Sequence, residues 1–246
     1  MTSRAGPTAT PPGILGRAFT RLFMRHATVA AVETIADRFR LITLEGPALA
    51  GIAWTSGQKI QIAMGSAFVA RTYTPIEWDP VAGRTRVLGY AHGDGPGSAW
   101  VHDVRPGDEC DLFGPRRSVD VSAAAGPLVL FGDETSIGLG AALSSPVRAG
   151  AAVSCRFEVN DVAASHRVMA HFGLKDAALF GREADGAHIA AIEASLSALD
   201  AVGVTFVLTG KAPTIQRLRQ ALKRQAVPAK RIIAKAYWAP GKTGLD

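Results

Sequence analysis

Four consecutive residues, Arg71, Thr72, Tyr73 and Thr74, combine a fixed cation, an aromatic ring and two hydroxyl groups. They follow the segment 59–64, whose alternation of polar and apolar residues is typical of a β-strand. On an extended chain Arg71 and Tyr73 project from one face and the two threonines from the other. A cation beside an aromatic ring suits a ligand that is flat at one end and anionic at the other. The alternative is a strand edge on which Arg71 is solvated and Tyr73 packs on the core.

A second candidate segment runs from His92 through Gly95, Gly97 and Ser98 into a predicted helix. Free backbone N–H groups at the start of a helix bind phosphate, and glycines leave room for it beside the backbone. This segment and Arg71 fall in the same predicted domain, so they are two independent contributors to one phosphate site. A flavin nucleotide combines such a phosphate with a flat ring. An ordinary surface loop remains the alternative for this segment alone.

Two further candidate segments directly follow apolar runs that are typical of buried parallel strands. The first contains Gly132, Asp133, Glu134 and Thr135, and the second contains Gly210. Because ligands bind at the carboxyl ends of strands in an open α/β sheet, a nicotinamide nucleotide is expected there. The two acidic side chains repel phosphate, so Thr135, Ser136 and backbone N–H groups are the better phosphate contacts. Helix capping by Thr135 or Ser136 is compatible with the same pattern.

Near the end of the chain, Tyr237 and Trp238 are either packing residues or aromatic covers for a flavin or nicotinamide ring. Lys211, Lys235 and Lys242 lie in the same region and are candidate contacts for an anionic substrate. Each of these lysines is equally compatible with an ordinary solvated basic surface.

The composition narrows the class of protein. The chain has 246 residues, 48% hydrophobic and 20% charged, which is typical of a globular protein. A net charge of +6 favours anionic partners without selecting one. The only cysteines, Cys110 and Cys155, are too few for an iron–sulfur or four-thiolate zinc site, and they favour a cytoplasmic location. We expect no metal site, no membrane-spanning segment, no nucleic-acid partner and a monomer, and no catalytic acid or base is assigned.

The order of predicted elements indicates two domains. Residues 27–111 show short strands and turns typical of a small antiparallel β-barrel, whereas strands alternate with helices after residue 126. The predicted fold is therefore a β-barrel followed by an open parallel-sheet α/β domain. The predicted divisions are a disordered tail over 1–13, a first domain over 14–124 and a second domain over 125–246. Segment 14–25 is a short basic stretch that is an ordinary extension, a transit peptide or a lipid-contacting helix.

The ordered set of these motifs resembles the siderophore-interacting proteins, which are FAD-dependent ferric-siderophore reductases of the ferredoxin–NADP reductase superfamily. The resemblance covers about residues 26 to 244 and depends on the order of the motifs rather than on any single one. It implies an FAD-binding barrel followed by an NAD(P)H-binding α/β domain. One departure lies at Lys211, where the family carries an acidic residue after the corresponding Ala-Gly pair.

The resemblance also implies roles for individual residues. Arg71 would neutralise the FAD pyrophosphate and Tyr73 would stack on the isoalloxazine ring. Thr74 would lie near the redox edge of that ring. His92 and the 97–98 pair would hold the ribityl-phosphate end, and residues 132–135 would border the nicotinamide.

The predicted function is electron transfer from NADH or NADPH through FAD to a ferric siderophore or another anionic ferric chelate. Two alternatives remain open. One is a related flavin reductase that serves a different protein or small-molecule acceptor. The other is a basic binding module without redox activity, which would take up no FAD.

Overall fold

The structure is a computed structural model that describes residues 24–66, 69–124, 126–145 and 152–242. The predicted tail over residues 1–13 lies outside the described residues. The basic segment 14–25 also lies outside them, except for its last two residues. Arg25 begins the first strand.

The first half of the chain forms a seven-stranded antiparallel sheet in the order β4-β3-β7-β1-β2-β6-β5. The strands are β1 (Arg25–Ala36), β2 (Phe39–Glu45), β3 (Lys59–Ser66), β4 (Val69–Tyr73), β5 (Pro75–Asp79), β6 (Arg84–Tyr90) and β7 (Glu109–Arg116). One helix, α1 (Pro96–Asp103), connects β6 to β7.

Alternation of side chains explains how this sheet encloses its core. Ile42 and Leu44 on β2, and Ile60 and Ile62 on β3, point inward and are fully buried. The predicted turn after β5 is present, since the Asp79 carboxylate accepts hydrogen bonds from two backbone N–H groups that follow it. The barrel-like antiparallel sheet predicted from the sequence is therefore confirmed.

The second half forms a five-stranded parallel sheet in the order β10-β9-β8-β11-β12. Its strands are β8 (Leu128–Asp133), β9 (Val153–Val159), β10 (Ala178–Gly181), β11 (Thr205–Lys211) and β12 (Ile232–Trp238). Its helices are α2 (Ile137–Ser144), α3 (Val162–His171), α4 (Ala187–Ala201) and α5 (Ala212–Arg224). The α/β organisation predicted from the sequence is confirmed.

The core of this second sheet explains why its strands read as continuous apolar runs. Phe131 and Phe206 on neighbouring strands are buried against α4 and α5, and Leu130 and Phe157 face the opposite layer. Strand β8 extends through Gly132 and Asp133, which the sequence placed in a loop. The sequence analysis identified neither α3 nor the strands β5 and β12.

All five parallel strands end at one edge of the sheet, which is the edge that faces ligands in open α/β folds. No helix within the described ranges is long and apolar enough to cross a membrane.

Candidate cofactor and substrate site

Arg71 lies against the first turn of α1. The helix begins at Pro96 with Gly95 as its N-cap, and no side chain caps its first N–H groups. A Cβ atom at Gly97 would lie 3.0 Å from the Arg71 Cγ, so the arginine side chain passes directly over this turn. The guanidinium Nη1 donates to the neighbouring Ala70 carbonyl at 2.8 Å. A cation and an uncapped helix amino terminus therefore face the same space, which favours an anion there.

Tyr73 and Thr72 follow the alternation expected for β4. Tyr73 packs its ring 5.3 Å from that of Trp100 on α1, whereas Thr72 is exposed. Burial raises the pKa of Tyr73 well above its usual value, so its phenol stays neutral. The aromatic surface beside Arg71 is thus fixed by packing on the same helix that supplies the anion-binding terminus.

The turn before α1 leaves its backbone accessible. A Cβ atom at Gly93 or Gly95 would meet nothing within 4 Å. The Ser98 hydroxyl donates to the His92 carbonyl and closes the turn onto the helix. Ser98 is therefore engaged in shaping the loop, while the glycines leave space for a ligand.

His92 lies at the boundary between the two sheets. Its ring stacks 5.8 Å from Tyr90 and lies 5.5 Å from Trp238 at the end of β12. Desolvation of the ring lowers the pKa of His92, which favours the neutral imidazole. The structure thus brings His92 and Trp238 together, although they are remote in sequence.

Thr74 and Tyr237 make a second contact between the two halves. The Tyr237 hydroxyl lies beside the side chains of Thr74 and of Thr209 on β11, and both threonines favour its ionised form. Burial raises the pKa of Tyr237 to about 12 despite these two neighbours. Two adjacent aromatic residues at the end of β12 therefore contact the first domain at residues 74 and 92.

Asp133 is fully buried at the end of β8 and accepts several hydrogen bonds. The Trp238 indole N–H donates to its Oδ2 at 2.7 Å, and the Thr135 backbone N–H donates to its Oδ1 at 2.9 Å. Burial raises the pKa of Asp133 to about 6, although these hydrogen bonds favour the charged form. The sequence suggested either phosphate binding or helix capping for this segment, and the geometry of Asp133 is that of a cap. The capping acceptor is the Asp133 carboxylate rather than the hydroxyl of Thr135 or Ser136.

Glu134 is held by Arg182, a residue that the sequence analysis did not select. Both guanidinium Nη atoms donate to the Glu134 carboxylate at 2.9 Å. The Asn160 backbone N–H and the Tyr90 hydroxyl donate to the same Glu134 oxygen at 2.6 and 3.3 Å. This pairing neutralises one acidic side chain that was expected to repel phosphate.

Arg182 also reaches the end of β9. Its Nε lies 3.6 Å from Glu158, whose carboxylate accepts from Thr214 at 2.7 Å and lies 3.1 Å from His188 Nε2. The Glu183 backbone N–H donates to His188 Nδ1, so the proton of the neutral ring resides on Nε2. Glu158 lies within the largely apolar strand β9, and a buried carboxylate needs a charged or hydrogen-bonding partner. The sequence did not indicate which cation would supply it.

Gly132 and Ser136 have structural explanations. A Cβ atom at Gly132 would lie 2.4 Å from the Ser136 Cβ, so this glycine is required by packing. Ser136 is fully buried and its hydroxyl accepts from Thr209 at 2.8 Å. The expectation that Ser136 contacts phosphate is therefore not supported by its position.

Gly210 and the three candidate lysines lie on or near the last two strands. Lys211 ends β11, with its Nζ 5.9 Å from the Trp238 ring, and Lys235 lies opposite Thr209 on β12. Lys242 is exposed beyond β12. The structure places Lys211 at the aromatic pair. Lys235 and Lys242 have no described contact with that pair. Gly210 faces Asp133, as described below.

The geometry around Arg71 and α1 fits a flavin dinucleotide, and this fit does not depend on the family resemblance. Arg71, the uncapped start of α1 and the open glycines form a cradle for a pyrophosphate. Tyr73 provides an aromatic ring beside this cradle, and Tyr237 approaches Thr74 from the second domain.

Comparison with solved structures agrees with this fold. A siderophore utilization protein from T. fusca is 24% identical, with a TM-score of 0.69, covering 91% of this chain and 95% of that one. The siderophore-interacting protein SipS from Aeromonas hydrophila is 21% identical, with a TM-score of 0.68 and coverages of 89% and 93%. Phthalate dioxygenase reductase is 15% identical, with a TM-score of 0.70 and coverages of 89% and 70%. A comparison with curated proteins gave no match.

The fold and the matching family domain define the class as an FAD-binding protein with a fold like that of the ferredoxin reductases. The model of the siderophore-interacting FAD-binding domain matches residues 63–119, and that of the siderophore-interacting protein matches residues 125–241. The chain belongs to the siderophore-interacting protein family.

Proposed function

We propose that this protein is an FAD-dependent reductase that transfers electrons from NADH or NADPH to a ferric siderophore or another anionic ferric chelate. The observation that carries the proposal is the placement of Arg71 over the uncapped first turn of α1, beside Tyr73. This arrangement lies within the segment that matches the family's FAD-binding domain. The two family matches, over residues 63–119 and 125–241, support the predicted division between the domains near residue 124.

FAD supplies chemistry that the side chains lack, because it accepts two electrons as hydride and can release them one at a time. The protein has to hold this group and orient it. In our proposal Arg71 and the N–H groups of α1 neutralise the pyrophosphate, with His92, Gly95, Gly97 and Ser98 shaping the phosphate loop. Tyr73 and Thr74 border the ring from the first domain, and Tyr237 and Trp238 exclude water from the side of the second domain.

The carboxyl edge of the parallel sheet is the proposed place for the nicotinamide nucleotide. Gly132, Asp133, Glu134, Thr135 and Gly210 border it. Glu134 is neutralised by Arg182, so repulsion of the nucleotide by this side chain is smaller than the sequence suggests.

The ferric chelate is the proposed electron acceptor. Lys211, Lys235 and Lys242 give this side of the protein a positive charge that attracts an anionic chelate. Iron reduction lowers its affinity for hard oxygen ligands, so electron transfer releases the metal as Fe(II). The chemistry needs electron transfer at the edge of the bound cofactor and no protein ligand to iron. A cytoplasmic location and a monomeric state remain predictions.

The test is an anaerobic assay of the FAD-loaded protein with NADH or NADPH and a panel of acceptors. The panel contains a ferric hydroxamate, ferric citrate, a quinone, free flavin and a ferredoxin, with Fe(II) trapped by a chromogenic chelator. We expect ferric chelates to have the highest kcat/KM. A preference for the quinone, free flavin or ferredoxin would replace this proposal with a related flavin reductase, and failure to take up FAD would favour a binding module.

A further inference from the structure

The Asp133 carboxylate connects three elements at the candidate site. It ends β8, caps the turn that leads to α2 through Thr135, and accepts the indole N–H of Trp238 from β12. Its side chain is 0% exposed, so these hydrogen bonds are made without competition from water.

The backbone is shaped to admit this carboxylate. Gly210 on β11 has φ +102, and a Cβ atom there would lie 2.6 Å from the Asp133 carboxyl carbon. Only glycine adopts this conformation readily and leaves the required space. The close approach of β11 is therefore part of the arrangement that holds Asp133.

Trp238, which donates its indole N–H to Asp133, also contacts the first domain. Trp238 contacts His92 of the first domain and lies 5.9 Å from the Lys211 ammonium. An indole has a single N–H donor, and for Trp238 the acceptor is Asp133. The orientation of the ring toward His92 is thus fixed by one hydrogen bond.

We propose that Asp133 is a positioning residue whose carboxylate fixes the Trp238 indole against His92 and thereby completes the cofactor site from the second domain. The effect on FAD affinity rests on the proposed function, whereas the contact between Asp133 and Trp238 is independent of it. The charged groups that face Asp133 are Glu134 and Arg182, and the Arg182 Nη2 lies 3.9 Å from its Oδ2.

The contact is tested directly by the indole N–H signals in a ¹H–¹⁵N NMR spectrum of the full chain. The chain has four tryptophans, and the signal lost in Trp238→Phe identifies Trp238. In the unaltered protein we expect this N–H to exchange slowly with solvent. In Asp133→Ala we expect it to shift and to exchange quickly. Rapid exchange of this N–H in the unaltered protein would overturn the proposal, and that result does not require Asp133→Ala to fold. If the variant does fold, an unchanged Trp238 signal would also overturn the proposal.

The consequence for the site is tested by FAD titration of Asp133→Ala, Trp238→Phe and the double variant. If Asp133 acts through Trp238, each change weakens FAD binding by the same factor, about three- to tenfold, and the double variant is no worse than either single one. Asp200→Ala is the matched control, because Asp200 also forms a polar contact but is remote from Asp133 and Trp238. Its Oδ1 lies 2.8 Å from the Arg231 Nη2. Its FAD affinity should equal that of the unaltered protein.

The outcomes separate the two proposals. Factors that multiply in the double variant, or an FAD affinity that neither single change alters, would overturn the positioning role. Absence of FAD binding by the unaltered protein would overturn the proposed function, while the indole signal would still report whether Asp133 holds Trp238.

Discussion

Arg71 is a cation with an uncompensated charge next to a helix amino terminus. Its described hydrogen bond is to a neighbouring backbone carbonyl, and no described carboxylate forms an ion pair with it. Arg182 is the contrasting case, because both of its Nη atoms are bonded to Glu134. Of these two arginines, Arg71 is therefore the one that is available to an anionic ligand.

Replacing Arg71 with alanine should weaken FAD binding by about 10- to 100-fold, because hydrogen bonds to charged groups contribute about 1.5–3 kcal/mol each. Titration of the apoprotein with FAD measures this effect. Arg84→Ala is the matched control, since Arg84 is an exposed strand residue that pairs with Asp79 at 4.0 Å. Equal FAD affinity in the two variants would contradict the role given to Arg71.

The pKa of Asp133 predicts how stability varies with pH. Because burial raises this pKa from 3.8 to about 6, the native state retains the proton to higher pH than the unfolded state. The contribution of Asp133 to the free energy of unfolding therefore falls as pH rises from about 4 to about 6, by about 3 kcal/mol in all.

Urea denaturation of the unaltered protein and Asp133→Asn between pH 4 and 7 measures this contribution as a difference. The stability of the unaltered protein relative to the variant should fall across the range, since asparagine does not ionise. A difference that is constant, or that grows with pH, would show that desolvation does not dominate the pKa of Asp133.

At the scale of elements, the carboxyl ends of the parallel strands are held together by polar groups that are far apart in sequence. Arg182 follows β10 and reaches both Glu134 after β8 and Glu158 on β9. Gly210 allows β11 to approach Asp133 on β8. Ion pairs and close packing therefore tie together the strand ends that face the proposed nucleotide site.

Gly210→Ala tests this close approach. The variant combines an unfavourable φ with a Cβ atom 2.6 Å from a buried carboxyl, so we expect a loss of more than about 2 kcal/mol in the free energy of unfolding. Gly241→Ala is the matched control, because its φ of +71 is also positive but a Cβ atom there meets nothing within 4 Å. It should cost only about 1 kcal/mol. Similar losses from chemical denaturation would contradict the tight contact at Gly210.

The elements that the sequence predicted are those with strong local patterns. Leu128–Phe131 reads as a buried strand because each of its residues is apolar, and α5 shows a clear apolar face at Ile215, Leu218 and Leu222. Strand β12 was missed because it is an edge strand with a lysine and mixed burial. Helix α3 has few large apolar residues, so its period is weak.

At the scale of the whole molecule, Tyr237 and Trp238 are two of the residues through which the domains meet, beside the Tyr90–Glu134 hydrogen bond and a shared apolar cluster. The predicted grouping of Arg71, Tyr73 and the α1 loop came from segments within one domain. The contacts of Trp238 with Asp133 and His92 join residues more than one hundred positions apart, and no local pattern encodes such a pairing. Sequence reasoning therefore named Asp133, His92 and Trp238 as candidates but did not predict the contacts between them.

Charge is also distributed unevenly over the molecule. From residue 201 to residue 245 the chain carries nine Lys and Arg residues and no Asp or Glu. This region includes β11, α5 and β12, and therefore the aromatic pair at the end of β12. Of these cations, Lys211 lies at the site, with its Nζ 5.9 Å from the Trp238 ring. An excess of positive charge in this part of the chain attracts anionic substrates, and salt screens the attraction.

Raising the salt concentration from about 50 to about 300 mM should therefore lower kcat/KM for an anionic ferric chelate severalfold, because the Debye length shortens. Steady-state reduction of an anionic and a neutral ferric chelate by the same FAD-loaded protein measures the effect, with the neutral chelate as the control. An equal salt dependence for the two chelates would contradict electrostatic attraction by this region.

The most direct test of the central claim is a visible absorption spectrum of the purified protein supplied with FAD. The sample is kept anaerobic, treated with NADH or NADPH, and then mixed with a ferric siderophore. The account predicts flavin bands that bleach with the nicotinamide nucleotide and recover with the chelate as Fe(II) is trapped. Flavin bands that never bleach, or the absence of bound flavin, would contradict it.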